Sequence, residues 1–145
     1  MPIAIGSDHA GFHLKEAVKA HLCGRGLEVA DLGTHAAERC DYPDHAASVA
    51  ASVARGEARL GVLVCGTGVG MAMAANKFAG VRAAVVSDTF SARATRQHND
   101  CNVLCIGERV VGVGLALDIV DAWLDASFEG GRHAERVAKL DSLLS

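Results

Sequence analysis

The stretch Leu60–Cys65, LGVLVC, is apolar without interruption and runs directly into the loop Gly66-Thr67-Gly68-Val69-Gly70. A strand that is apolar at every position, and not at every second one, needs cover on both faces. That is the mark of a parallel sheet held between helices. The same alternation recurs along the chain. Strands are expected over Ile3–Ser7, Leu27–Leu32, Leu60–Cys65, Arg82–Ser87 and Asn102–Ile106. Helices are expected over Gly11–Cys23, Pro43–Arg55, Val69–Phe78, Thr89–His98, Val113–Ala126 and Arg132–Leu144. Leu14, Val18 and Leu22 fall on one helical face, as do Leu117, Val120, Asp121 and Leu124. Pro43 suits a helix start, Gly33–Tyr42 reads as a loop, and Gly130-Gly131 breaks the chain before the last helix.

Five β–α units of this kind predict an α/β fold with a five-stranded parallel sheet and a C-terminal helix. The 145 residues contain no linker, low-complexity tract or internal repeat, so one domain over 1–145 is expected. Half of the residues are hydrophobic, yet only one Trp, one Tyr and four Phe are present, so Ala, Val, Leu and Ile must build the core. In such sheets ligands bind beyond the carboxyl ends of the strands, at a topological switch point. The positions to inspect are those just after Ser7, Cys65, Ser87 and Ile106.

Charge and patterning exclude several function classes. The net charge is −3 with scattered basic residues, so no nucleic-acid partner is expected. The uncharged run Leu60–Asn76 is short for a membrane span and carries four glycines, so no membrane partner is expected either. The start, MPIAIGSDHAG, lacks the basic and apolar regions of a signal peptide. Five cysteines, an odd number without a secretory signal, point to reduced thiols and a cytoplasmic location.

The turn from Cys65 to Gly70 is the strongest local feature. Its glycines let successive backbone N–H groups converge on an anion at the positive end of a helix. A thiol at that helix start is favoured as thiolate. One reading is therefore a base or nucleophile beside a ready oxyanion hole. The other is a glycine loop that permits close helix–strand packing, with Cys65 simply buried. A dinucleotide fingerprint fits less well: Met71 stands where a third glycine belongs, although Asp88 sits about 20 residues on. The Walker A pattern is absent.

Asp8 and His9 follow the first strand, where either Ser7 or Asp8 can cap the next helix. His9 and His13 are four apart, but no third ligand at sensible spacing accompanies them, so no metal is expected. His98 and Asn99 close the fourth helix, where a histidine also complements the helix dipole. Arg132 and Arg136 are spaced to face one phosphate, or else they are solvated surface charges; Arg109 after the fifth strand has the same two readings.

Taken together, GSDHAG near the start, DYP at 41–43, CGTGVG at 65–70, NKFAG at 76–80, RQHND at 96–100 and GGRH at 130–133 resemble the ribose-5-phosphate isomerase B family, which includes bacterial allose- and galactose-6-phosphate isomerases. The resemblance spans essentially the whole chain in order. It implies a Rossmann-like three-layer α/β/α sandwich. It also implies a homodimer, or a dimer of dimers, with active sites at the subunit interface. The implied activity is the interconversion of ribose 5-phosphate and ribulose 5-phosphate through ring opening and an enediolate, without a cofactor. Cys65 is similar to the family's base, with Gly66, Thr67, Gly68, Val69 and Gly70 as the enediolate-binding loop. His98 matches the acid–base group of ring opening, assisted by Asp8. His9, Arg132 and Arg136 resemble the phosphate-binding set. Asn99 and Arg109 match contacts that arrive, with His98, from the neighbouring subunit. Some members carry the base as a Glu further along the loop, where this chain has Met71 and Ala74. Paired galactose-6-phosphate isomerase subunits divide the functional groups between two different chains, whereas this chain keeps both Cys65 and His98-Asn99. Two alternatives stay open: an isomerase of another sugar phosphate, such as allose 6-phosphate or a four-carbon ketose phosphate, or a non-catalytic nucleotide-binding module.

Overall fold

The computed structural model describes residues 1–144. Five strands, β1 (Ile3–Ser7), β2 (Val29–Asp31), β3 (Leu60–Cys65), β4 (Ala83–Val85) and β5 (Val103–Gly107), form one sheet in the order β2-β1-β3-β5-β4. All four pairings are parallel. The central register aligns Ile3 with Leu60, Ser7 with Val64, and Cys65 with Gly107. Six helices complete the chain: α1 (Phe12–Gly24), α2 (Tyr42–Ala54), α3 (Val69–Ala75), α4 (Thr89–Asn99), α5 (Val113–Asp125) and α6 (Arg132–Ser142). The expected α/β class and five-stranded parallel sheet are what is observed.

Strand alternation sorts the buried side chains into two cores. Ile3, Ile5, Val62, Val64, Leu104 and Ile106 face Leu14, Val18 and Leu22 of α1 and Ile119, Val120 and Trp123 of α5. The other face packs Ala4, Leu63, Cys65, Val103 and Cys105 against Ala46, Val49 and Ala50 of α2 and Met71, Ala72 and Ala75 of α3. Cys65 therefore sits on the α2–α3 face, under the start of the helix that its own loop leads into.

The boundaries differ from expectation mainly at the sheet edges. β2 and β4 are three residues each, not six, because each pairs on one side only. α3 stops at Ala75 and does not reach Phe78. Asn76 diverts the chain there: its side chain donates to Ala83 O (2.9 Å) and accepts from Ala83 N–H (2.8 Å), pinning the turn to the edge strand. At the N-terminal side, a short 3-10 turn over His9–Gly11 precedes α1, and Asp8 Oδ1 caps it by accepting from Ala10 N–H and Gly11 N–H. α6 buries none of its residues and ends at Ser142, not Leu144.

The chain leaves β1 toward the β2 edge and then crosses back to β3. The switch point thus lies between the carboxyl ends of β1 and β3, at Ser7-Asp8 and Cys65-Gly66. Asp8 N–H donates to Val64 O across this gap.

Candidate active site

The carboxyl ends of β1, β3 and β5 make the floor of the site. Glu108 N–H donates to Cys65 O (2.9 Å) and Arg109 N–H to Gly66 O (3.0 Å), so the segment after β5 lies along the loop after β3. The loop folds back because Gly68 adopts φ +81°, a left-handed conformation that costs glycine little. It also rests directly on Gly107, where a Cβ would come within 2.7 Å of the Thr67 backbone.

Within the loop, Gly68 N–H donates to Cys65 Sγ at 3.1 Å and Val69 N–H to Thr67 Oγ1 at 3.3 Å. The sulfur is thus an acceptor, with the donor supplied by the loop itself. Gly70 and Met71 lie in the first turn of α3, whose N–H groups have no acceptor within the helix and point out of its start. Cys65 is 6% exposed. Burial pushes the thiols of Cys105 and Cys101 up, and neighbouring thiols add to this for Cys105. Those two cysteines are core residues.

Three flanking groups complete this rim. His9 Nδ1 lies 3.2 Å from Cys40 O and 3.3 Å from Cys40 N, which ties the ring to the loop before α2. The Arg109 side chain passes over Gly66 of its own chain, about where a Cβ on that glycine would touch it at 3.5 Å. Glu108 Oε1 accepts from Leu14 N–H at 2.6 Å, locking the β5 end to the start of α1. Asp8, His9, Cys65, Gly66–Gly70 and Arg109 are therefore brought together.

His98, Asn99, Arg132 and Arg136 are not. α4 begins after β4 at the carboxyl rim and ends at Asn99, just before β5 starts, so His98 lies at the opposite, amino rim. The length of β5 alone separates the two rims by about 13 Å. At that rim the His98 and His133 rings stack, with centroids 4.5 Å apart. Arg132 and Arg136 are exposed and form no ion pair among the described residues. Burial holds the His133 imidazole below its ordinary range, helped by His98 and Arg132. Asn99 lines a cavity of about 500 Å³ with Arg82, Leu140 and Asp141, also away from Cys65.

Four residues acquire a place that sequence reasoning did not give them. Tyr42 covers the loop helix: a Cβ on Gly70 would meet its ring at 2.5 Å. Its presence in the DYP motif was the available signal. Glu129 and His133 gather around His98, and only the GGRH motif marked His133. Asp88, a candidate ribose ligand in the dinucleotide reading, caps α4 by accepting from Ser91 N–H at 2.6 Å. Among the described residues no helix is long and apolar enough to cross a membrane.

Known proteins share this fold. Residues 3–140 match the family model described as Ribose/Galactose Isomerase. Over 141 residues the chain is 57% identical to ribose-5-phosphate isomerase B of Escherichia coli, covering 97% of this chain and 95% of that protein. The structure of Clostridium thermocellum ribose-5-phosphate isomerase B matches with a TM-score of 0.97 at 54% identity, covering 99% of this chain and 97% of the other. That of Mycoplasma genitalium ribose-5-phosphate isomerase B with bound ribulose-5-phosphate matches with a TM-score of 0.95 at 44% identity, covering 98% and 95%. With its sequence and its fold both matching over nearly their full length, this chain belongs to the ribose/galactose isomerase family.

Proposed function

We propose that this chain, as one domain, interconverts ribose 5-phosphate and ribulose 5-phosphate, with Cys65 as the base. Cys65 at the mouth of a glycine loop that donates to its sulfur, in a chain 57% identical to a ribose-5-phosphate isomerase B, is the observation that carries this function. The reaction takes a proton from C2 of the open aldose and returns it to C1, while the O2 hydroxyl proton passes to O1, so that the C1 aldehyde becomes an alcohol and C2 a ketone. The Cys65 thiolate takes and returns the carbon-bound proton. The enediolate oxygen is met by backbone N–H groups of Gly66–Gly70 and by Thr67, donors of a kind that contribute on the order of 3 kcal/mol each. Nothing is oxidised or reduced overall, so side chains and backbone suffice and no cofactor enters.

Ribose 5-phosphate is mostly cyclic, and His98, with Asp8, moves the protons that open the ring. His9, Arg132 and Arg136 hold the phosphate, and Asn99 and Arg109 contribute further contacts. Guanidinium groups suit phosphate because they bind it through two hydrogen bonds. The positions of His98, Asn99 and Arg132 at the far rim support a site completed by a second copy of this chain. Val69, Met73, Phe90 and Val110, each at least 49% exposed, supply apolar surface for that contact. The assembly is a homodimer, or two such dimers paired. Arg109 lies over Gly66 of its own chain, and the family resemblance has the arginine at this position also reaching the site of the neighbouring subunit. Five unpaired cysteines suit the reducing cytoplasm.

The deciding experiment assays wild type and Cys65→Ala against four-, five- and six-carbon aldose and ketose phosphates. Ribose 5-phosphate is expected to give the highest kcat/KM in the wild type. Cys65→Ala is expected to lose at least about 1,000-fold in kcat, near the upper range for a positioned proton-transfer group. Preference for another sugar phosphate would overturn the substrate, and retained turnover in the variant would overturn the base.

A further inference from the structure

His98, Glu129 and His133 meet at the amino rim of the sheet, outside the Cys65 loop. From their geometry we infer that these three residues form a binding site for a divalent transition-metal ion of the zinc type. Two imidazole nitrogens and one carboxylate oxygen are a donor set that zinc accepts and that magnesium or calcium, which take oxygen ligands, do not favour. The three donor atoms lie within 4.8 Å of one another. Glu129 Oε1 is 3.8 Å from His98 Nε2 and 3.7 Å from His133 Nε2. Both distances are too long for hydrogen bonds, so the carboxylate is not committed to either ring. Tetrahedral zinc, with bonds of about 2.0–2.1 Å, sets its ligand atoms roughly 3.4 Å apart. A few tenths of an ångström bring Glu129 to that spacing from either ring, and its side chain, 52% exposed, has the freedom to move; the two ring nitrogens, within 4.8 Å, close by rotation of an imidazole.

The frame that carries the ligands is fixed. Glu129 N–H donates to Gln97 O in the last turn of α4 (3.0 Å), so Glu129 is fastened to the residue that precedes His98. His133 N–H donates to Gly130 O (3.1 Å), closing the turn between Glu129 and α6. The two rings stack within 15° of parallel at 4.5 Å, so a shared ion requires one imidazole to turn out of the stack until its Nε2 lone pair converges with the other's. Three protein ligands leave a fourth position for water.

This inference rests on the proposed function for one consequence only. With His98 serving in ring opening, an ion bound to its Nε2 withdraws the proton carrier and leaves Cys65 untouched. Zinc is then an inhibitor of ribose 5-phosphate turnover, reversible by a chelator, and not a cofactor.

Full-length protein stripped with chelator and titrated with Zn²⁺ against a chromophoric competitor gives binding directly. Wild type and Cys65→Ala are expected to take up one equivalent per chain at this site. His133→Gln and Glu129→Gln are expected to weaken uptake by about 100-fold or more, since even outer-shell changes at metal sites cost 10–100-fold. Glu129→Gln alters an exposed side chain and keeps the test valid if His133→Gln does not fold. Co²⁺ in place of Zn²⁺ is expected to give the visible bands of a tetrahedral nitrogen–oxygen site without thiolate charge transfer. No stoichiometric uptake by wild type, uptake unchanged in Glu129→Gln, or uptake lost in Cys65→Ala would each overturn the site. Stoichiometric uptake at this site with undiminished ribose 5-phosphate turnover would uphold it and remove His98 from ring opening instead.

Discussion

At the scale of single residues, Cys65 and His98 answer two separate chemical demands. Cys65 is buried and accepts from Gly68 N–H, as suits a group that handles carbon-bound protons away from water. His98 is exposed at a helix end, stacked on His133, as suits a group that exchanges protons with hydroxyls. Ribulose 5-phosphate cannot close to a furanose, because its 5-oxygen carries the phosphate, and it enters the site already open. His98→Asn is therefore expected to lose most turnover of ribose 5-phosphate while Cys65 still exchanges a C1 proton of ribulose 5-phosphate. The measurement is deuterium entry at C1 in deuterated water, followed by NMR. Exchange that falls as far as aldose turnover would assign His98 to the enediolate step as well.

At the scale of elements, α1 is fastened to the β2 edge by charge. Lys15, fully buried, lies 2.8 Å from both Asp31 oxygens, and Lys19 reaches Oδ2 at 2.9 Å. Burial pushes the Asp31 carboxyl up, but Lys15, Lys19 and the Gly33 N–H outweigh it and bring it to about 2. Because the folded value lies below the unfolded one, the stability this group provides is complete above about pH 4 and is lost as pH falls toward about 2; it amounts to no more than about 2 kcal/mol. Asp31→Asn leaves Lys15 with Glu16 alone (3.2 Å). Removing one partner of a buried pair costs about 3 kcal/mol, which lowers Tm by roughly 10 °C in a chain of this size. Thermal melts across pH 2–7 are expected to show that drop at neutral pH and a flatter acid limb for the variant; equal curves would mean that the cluster does not hold the edge. The elements themselves were legible where burial is two-sided: Ile3–Ser7 and Leu60–Cys65 appear in the structure with the boundaries read from their apolar runs. Edge strands and the end of α3 were not, because single-sided pairing and the Asn76–Ala83 bonds are tertiary facts with no local pattern. The Cys65 loop was legible for the same reason as its strand. Glu129 was not, since only folding brings it beside His98.

At the scale of the whole molecule, strand order decides what one chain can assemble. With β5 between β3 and the edge strand β4, and α4 returning along the sheet, His98 is carried to the amino rim while Cys65 stays at the carboxyl rim. No side-chain rotation spans the length of β5. A complete site then takes Cys65 from one copy and His98 from another, and this has a consequence that no single-chain site shares. Cys65→Ala and His98→Asn are each expected to be inactive on ribose 5-phosphate by themselves. After they are unfolded together and refolded as an equal mixture, half of the dimers are mixed. In each mixed dimer one site receives both defects and the other receives none. Turnover of about one quarter of the wild-type value is expected to return, from the random pairing of equivalent subunits in a two-fold dimer. Each variant refolded alone controls for residual activity, and a double variant refolded with wild type controls for yield. If both functional groups came from the same chain, every mixed dimer would hold two defective sites and no activity would return. Recovery in the mixture, absent from either variant alone, therefore distinguishes a shared site from a self-contained one without any structure of the assembly.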